Sequence, residues 1–204
     1  VKGVTLFTLL LAGYAISISR QWEMCDILLT TVSAERNRPE LESIIGNFVA
    51  DMSIFISITG ETNVGDVIKQ VSQKLIEART NCEVPIREMQ RELGLDQESL
   101  PAGALLNYSD FKVRDSVDMK DIELAPLAVS DPNRYSSDGV KLFMFKNFSN
   151  VSGKVYCDCA LYRRETIESL INYYKDSLEL LSDNSKDDVV LKEWYLQSSA
   201  SALT

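Results

Sequence analysis

The side chains available for acid–base, nucleophilic or metal chemistry in this 204-residue sequence do not include a single histidine. Histidine is the commonest general acid or base because its ordinary pKa lies near neutrality. A mechanism that needs a histidine base or a histidine metal ligand is therefore excluded for this chain alone. The sequence also shows no other pairing of a nucleophile with a base. We predict that the chain carries no catalytic residue of its own.

Cysteine is the next candidate for chemistry. The four cysteines are Cys25, Cys82, Cys157 and Cys159. Only Cys157-x-Cys159 is a close pair, and on a strand its two side chains would point to the same face. Two ligands do not make a zinc site, which needs a second close pair. We interpret the cysteines as small buried hydrophobic residues of a reduced, cytoplasmic protein.

Acidic residues do not complete a metal site either. The clustered acids Asp118, Asp121, Glu123, Asp187 and Asp188 lack the ligand spacing of a calcium or magnesium loop. We interpret them as solvated, and we predict no metal and no cofactor bound by the chain itself.

Composition excludes further classes of protein. The chain is 45% hydrophobic and 25% charged, which suits a globular fold, and its formal net charge is −9. No basic run is present, so the surface that neutralises phosphates in nucleic-acid binding is missing. The apolar stretch from Val4 to Ile18 is shorter than the roughly 20 residues of a membrane span, and we expect a buried helix and no membrane partner. Because the sequence starts at Val1 without Met, we interpret its start as a boundary within a longer polypeptide.

Hydrophobic periodicity predicts strands interleaved with helices. A β-branched run at Cys25–Val32 predicts a strand covered on both faces, and alternation predicts a second strand over Met52–Thr59. Further elements are a helix at Val64–Thr80 capped by Asn63, a short helix after Pro85, short strands at 104–106 and 124–129, a surface loop at 107–123, a hairpin at 140–159 and a helix at Arg164–Leu181. We predict an α/β fold with a mixed β-sheet and helices packed on it. Residues 1–181 would form one folded unit, and residues 182–204 a C-terminal linker with a short anchoring patch.

Five short motifs are spread along the chain. The first is Arg38-Pro39-Glu40-Leu41-Glu42 followed by Ile45-Gly46-Asn47-Phe48-Val49. The others are Asn81-Cys-Glu-Val-Pro85, Asn107-Tyr108, Gly153 to Tyr162 with Glu165-Thr166-Ile167, and the opening Leu9-Leu-Leu-Ala12. Each motif is weak, but in this order they resemble the C-terminal half of the condensation domain of nonribosomal peptide synthetases, and the resemblance covers about residues 1–181.

The resemblance implies one lobe of a chloramphenicol-acetyltransferase-like, two-lobed acyltransferase fold. In that superfamily of CoA-dependent acyltransferases, condensation domains join a carrier-bound acyl or aminoacyl thioester to an acceptor amine. Two phosphopantetheine arms enter a tunnel between the lobes. The family's His-His-x-x-x-Asp-Gly motif lies on the N-terminal lobe, so this chain alone is expected to be inactive. The implied partners are the N-terminal lobe, carrier proteins and, as a further candidate, a downstream adenylation domain.

Five residues near the first motif are candidates for the site. Gly46, Phe48 and Asp51 are candidates for the cleft or tunnel wall, and Arg36 and Arg38 are candidates for the pantetheine phosphate. Simpler interpretations stay open: a turn glycine, an exposed carboxylate at a strand end, and surface arginines paired with Glu40 and Glu42.

Departures from the family pattern leave the function open. Ala50 and Asp51 replace Asn-Thr, and Phe55 stands where the family usually has arginine. Two alternative functions therefore remain: a noncatalytic scaffold or docking lobe, and half of an ester-forming carrier-dependent acyltransferase. The family also has an extension from this half to the other lobe, and we assign that bridging role to the loop at 107–123.

Overall fold

A computed structural model of the chain describes residues 3–34, 38–81, 88, 91–92, 94, 104–110, 139–147 and 150–201. The helices are α1 (Leu6–Trp22), α2 (Pro39–Glu42), α3 (Val64–Thr80), α4 (Arg164–Ser182) and α5 (Leu191–Ser201). The strands are β1 (Asp26–Ser33), β2 (Ala50–Ser57), β3 (Ala104–Ser109), β4 (Val140–Asn147) and β5 (Asn150–Cys157). A short 3-10 turn, Asn184–Lys186, follows α4.

The five strands form one mixed sheet in the order β2-β1-β3-β4-β5. The two outer pairs, β1 with β2 and β4 with β5, are antiparallel, whereas β3 runs parallel to both of its neighbours. Antiparallel strands can be joined by a short turn, as β4 and β5 are, whereas parallel strands need a crossover connection. The crossover from β1 to β3 contains α3. The predicted α/β fold with a mixed sheet and packed helices is confirmed.

Among the described residues, one face of the sheet carries the buried core. In β1, Ile27, Leu29 and Thr31 are buried, while the residues between them are half-buried or exposed. In β2 the buried residues Met52, Ile54 and Ile56 likewise alternate with more exposed ones. The prediction that β1 is covered on both faces was therefore wrong. Its continuous apolar run reflects one buried and one half-buried face.

Helix α1 is the centre of the helical layer. Every residue from Leu10 to Ser19 is buried, because the helix packs on β1 and β3 and is flanked by α3 and α4. The Thr5 side chain accepts a hydrogen bond from the backbone N–H of Thr8 and so caps the first turn. No helix in the described part of the chain is long and apolar enough to cross a membrane, and the predicted buried helix is confirmed.

Helices α1 and α4 approach most closely at Gly13. A Cβ atom there would lie 2.9 Å from Leu178 Cδ2 and 3.3 Å from the Tyr174 ring. Two buried tyrosines tie this crossing to its surroundings: the Tyr14 hydroxyl donates to the Val140 carbonyl at 2.9 Å, and the Tyr174 hydroxyl donates to the Leu10 carbonyl at 3.3 Å. Burial raises the pKa of both hydroxyls, so both stay protonated donors.

Helix α3 covers the β2 end of the sheet. The Asn63 side chain accepts from the Asp66 N–H at 2.8 Å, which confirms the predicted cap. Val64, Val67 and Val71 are buried against the core. The Gln70 amide accepts from the Ser57 N–H and donates to the Ser57 carbonyl, so it satisfies the backbone at the end of β2.

The segment after residue 181 contains α5 and packs on the helical layer. Leu191 is buried, and the Tyr195 hydroxyl donates to the Ile16 carbonyl at 3.2 Å. The Arg20 guanidinium lies 4.0 Å from the Tyr173 ring centroid and 5.1 Å from that of Trp194, which ties α5 to α1 and α4. The division into a unit at 1–181 and a linker stays a prediction.

Several local expectations need correction. The strand predicted at 104–106 continues to Ser109, so the loop predicted at 107–123 cannot include residues 107–109. Strand β5 ends at Cys157, and Cys159 lies in the following turn, so the two thiols do not share one strand face. Cys25 and Cys159 are exposed and Cys157 is half-buried, so these three are not buried core residues. The strand predicted at 124–129 and Cys82 lie outside the described residues.

We predict that Gly13→Leu destabilises the fold. The added side chain has no room between α1 and α4, and overpacking of this kind costs about 1–3 kcal/mol of unfolding free energy. Urea unfolding followed by circular dichroism would measure this loss. The matched control is Ser72→Leu, since Ser72 lines a shallow open groove on α3. Equal stability of Gly13→Leu and the control would contradict the close crossing.

Candidate functional site

The candidate site lies on and beside the face of the sheet that the described helices leave open. We call this the open face. Because side chains alternate along a strand, the open face is formed by the strand residues that lie between the buried ones. They include Leu28, Thr30 and Val32 of β1, Asp51, Ser53 and Phe55 of β2, Leu105 and Asn107 of β3, Lys141, Phe143 and Phe145 of β4, and Tyr156 of β5.

The first predicted motif forms an exposed turn at one end of this face. Gly46 lies at a bend between α2 and β2, and a Cβ atom there would come within 3.1 Å of the Phe48 ring. The Asn47 side chain accepts from the Val49 N–H at 3.1 Å and shapes the same turn. Gly46 is therefore needed for close contact with Phe48. Its predicted place beside a tunnel stays a prediction.

The apolar residues around this turn are exposed. Ile45 is fully exposed at 102%, and Val49 is 59% exposed. Phe48 is half-buried by its contact with the turn itself. An apolar turn of this kind gains from being covered by another surface.

Asp51 lies at the start of β2, opposite Val32 in the ladder. Its side chain is exposed, and alternation with buried Met52 places it on the open face. The structure therefore places Gly46, Phe48 and Asp51 at one end of β2. The exposed position fits both interpretations of Asp51, a cleft acid and a strand-end carboxylate.

Arg38 directly precedes α2 and is exposed. Among the described residues no ion pair joins it to Glu40 or Glu42, although that pairing was one interpretation of the two arginines. Arg36 lies outside the described residues. The prediction of a phosphate site at these arginines is not tested by the position of Arg38 alone.

Phe55 lies toward the other end of β2 from Gly46 and Asp51. It borders a cavity that we did not predict from the sequence. The cavity has a volume of about 410 Å³ and lies at the end of the sheet where β1 begins. We call it the sheet-end cavity. Its walls include Trp22, Met24, Phe55 and Tyr162, with the Trp22 and Tyr162 rings edge to face at 6.2 Å. Phe55 is 51% exposed, and its outward position in the alternation of β2 was the one sequence signal for this site.

The Cys157 thiol shows no sign of activation. Burial, with smaller contributions from the neighbouring Cys159 and Asp158, raises the pKa of the Cys157 thiol. A raised pKa lowers the thiolate fraction, which is the opposite of what a nucleophile needs. Within the described ranges, no group of three or more cysteines and carboxylates is placed to hold a metal ion.

Comparison with known proteins gives a consistent result. The profile of the Condensation domain family matches residues 1–202. The chain is 25% identical over 210 residues to malpinin synthetase of Mortierella alpina, covering 98% of the chain and 3% of that protein. It is 26% identical over 182 residues to cyclosporin synthetase of Tolypocladium inflatum, covering 87% of the chain and 1% of that protein. The chain thus spans a few per cent of the length of these relatives.

Solved structures show the same fold. The first condensation domain of the CDA synthetase superposes with a TM-score of 0.72 at 14% identity, covering 94% of this chain and 42% of that one. The condensation domain of the monacolin K polyketide synthase gives a TM-score of 0.74 at 17% identity, covering 91% and 43%. A four-domain nonribosomal peptide synthetase bound to AMP and glycine gives 0.78 at 14% identity, covering 93% and 15%.

We predict that Cys157 reacts with iodoacetamide more slowly than Cys25 and Cys159. Because its pKa is raised, less of its thiol is ionised at about pH 8, and its reaction rate should reach half-maximum at a higher pH. Peptide mapping by mass spectrometry after timed labelling would measure each rate. Fastest labelling of Cys157 below neutral pH would contradict the absence of an activated thiol there.

Proposed function

The chain belongs to the condensation domain family, and on that premise we propose that it is the C-terminal lobe of a carrier-dependent amide-forming domain. The lobe supports attack of an acceptor amine on a carrier-bound thioester, with the catalytic histidine supplied by an N-terminal lobe. The supporting observation is the extent of the match. Residues 1–202 fit the family profile, yet the chain covers only about two fifths of solved single condensation-domain chains.

The open face supports a two-lobed arrangement. It carries Phe55, 51% exposed, and Phe145, 39% exposed, among polar residues. The Ser53 hydroxyl oxygen on this face is buried, and no described group hydrogen-bonds to it. The exposed apolar rings, rather than the Ser53 hydroxyl that this chain already buries, favour contact with a second lobe over contact with water.

The role of this lobe is to bind and position. It contributes no general base, because it has no histidine and its half-buried thiol has a raised pKa. Gly46, Phe48 and Asp51 would form part of the tunnel wall, where holding the two carrier-bound substrates in line lowers the entropic part of the barrier. The partners would be the N-terminal lobe, carrier proteins with their phosphopantetheine arms, and a downstream adenylation domain.

A noncatalytic docking lobe is the second candidate. It is favoured by Asp51, an exposed carboxylate where the family pattern has threonine, and by Phe55 in place of arginine. Both changes alter the open face while leaving the core positions of β2 apolar. Such a lobe would keep the fold and its partners without supporting amide formation.

We predict that the 204-residue chain alone forms no condensed product from donor-loaded and acceptor-loaded carrier proteins. Mass spectrometry of the carrier-bound species would detect the product. Addition of an N-terminal condensation lobe with its histidine motif should restore amide formation. Product from the isolated chain would refute the proposal. Folded, bound but inactive lobes would favour the docking candidate, and product with a hydroxyl acceptor in place of an amine would identify the ester-forming alternative.

The proposed phosphate contact at Arg36 and Arg38 is tested by changing both to alanine in the two-lobed assembly. If both arginines bind the phosphate of the arm, acceptor-carrier affinity should fall by roughly tenfold at low salt and by less at moderate salt, because exposed charge contacts are screened. Fluorescence anisotropy of a labelled carrier would measure this. The matched control is Arg163→Ala with Arg164→Ala, which removes two exposed arginines at the start of α4. Equal affinity at both salts would leave the two arginines without a binding role.

A further inference from the structure

Strand β5 is a free edge of the sheet. It pairs with β4 on one side, and in the described part of the chain no strand pairs with its other side. Residues 150–154 of β5 are exposed. Every second backbone N–H and C=O of β5 therefore points away from β4, as a template for an added strand.

An apolar groove runs beside this free edge, between β5 and α4. We call it the β5–α4 groove. Its volume is about 270 Å³, and it is lined on the strand side by Val151, Gly153 and Val155 and on the helix side by Leu170, Ile171 and Leu178. This is below the roughly 300–1,000 Å³ of small-molecule sites, so the groove suits one or two side chains.

Gly153 opens the groove. A Cβ atom at this position would lie 2.6 Å from the Met144 sulfur, so Met144 occupies the space beneath the strand. The tyrosines of the floor, Tyr14 and Tyr174, have their hydroxyls bonded to backbone carbonyls inside the protein. The floor of the groove therefore presents aromatic ring and aliphatic surface, which favours contact with an apolar side chain.

Two lysines flank the free edge of β5, one on each face of the sheet, although the whole chain carries a net charge of −9. Lys175 is the one charged residue among the described groove-lining residues. Lys154 is exposed on β5, and alternation places it on the open face beside the same edge. A strand added to this edge would have one face next to the groove and the other next to Lys154.

We propose that the free edge of β5 and the β5–α4 groove bind an extended segment of a partner polypeptide in which apolar and acidic residues alternate. The segment adds to the sheet as a sixth strand through backbone hydrogen bonds. Its apolar side chains enter the groove, and its acidic side chains face Lys154. This inference is independent of the acyl-transfer proposal.

A second copy of this chain fits the edge less well. Antiparallel pairing of two β5 strands across the groove would bring their Lys154 side chains close together, and like charges in neighbouring strands are destabilising. Sedimentation of the 204-residue chain would detect such a dimer, and a dimer abolished by changes in β5 would overturn the proposal.

The direct test uses a fluorescein-labelled heptapeptide, Asp-Val-Glu-Leu-Glu-Val-Asp, and the 204-residue chain. The comparison peptide replaces the three apolar residues by serine and keeps the charge. Fluorescence anisotropy should show binding of the apolar peptide and none of the serine peptide. Hydrogen exchange of β5 amides should slow by about tenfold on binding.

Charge variants that leave the core untouched separate this site from general charge attraction. Lys154→Glu with Lys175→Glu should weaken peptide binding roughly tenfold, since the acidic peptide would meet a negative charge instead of a positive one on both faces of the β5 edge. Lys69→Glu with Lys186→Glu makes the same change in net charge on exposed residues that do not line the groove, and it should change binding less than about twofold. Equal weakening by both double variants, or equal binding of both peptides, would overturn the proposal.

Gly153→Val tests the groove itself, because its Cβ would displace the Met144 side chain, which also lines the groove, and it should abolish binding of the apolar peptide. Circular dichroism would verify that this variant folds. If it does not fold, the lysine variants and the exchange of β5 amides decide the question. Full peptide affinity in a folded Gly153→Val chain would refute insertion into the groove.

Discussion

The close approach of α1 to α4 at Gly13 is the constraint on which the other elements depend. It lets a helix with an unbroken buried stretch from Leu10 to Ser19 lie between α3 and α4 on a single sheet face. Buried hydroxyls need hydrogen-bond partners, and those of Tyr174 and Tyr195 donate to the α1 backbone carbonyls of Leu10 and Ile16. The crossing therefore fixes α4, the β4 end of the sheet through Tyr14, and α5 through Tyr195.

Placing the described helices on one face leaves the opposite face with a mixed character. Phe55 and Phe145 make this face more apolar than an ordinary solvent-exposed face. Asp51, Thr30 and Lys141 make it more polar than a core. Surfaces with this mixture are typical of domain interfaces and of clefts that hold polar substrates. The layer arrangement, rather than any single residue, therefore supports the second lobe that we propose.

Periodicity in the sequence predicted the main helices and strands because those patterns express burial along one element. The stripe of α3 and its Asn63 cap are local signals, and both are found in the structure. The expectations that proved wrong concern features that depend on contacts between distant elements. The run at 25–32 cannot reveal that the described helices cover only one face of β1, and the strand end at Ser109 depends on pairing with Phe145 of β4.

The candidate site was predictable only in part for the same reason. The motif around Gly46 is local, so its turn could be anticipated. The sheet-end cavity and the β5–α4 groove each join separate elements, so the outward position of Phe55 is the one local signal for the cavity and no single segment signals the groove.

The two departures on β2 act at different places. Asp51 and Phe55 share the open face but lie four residues apart, which is roughly 13 Å along a strand. Asp51 adds a negative charge beside the exposed Gly46 turn, whereas Phe55 adds apolar surface at the mouth of the sheet-end cavity. The charge near the Gly46 turn and the apolar surface at the sheet-end cavity are therefore separate features of this chain. Because both residues point away from the core, neither change alters the buried apolar positions of β2.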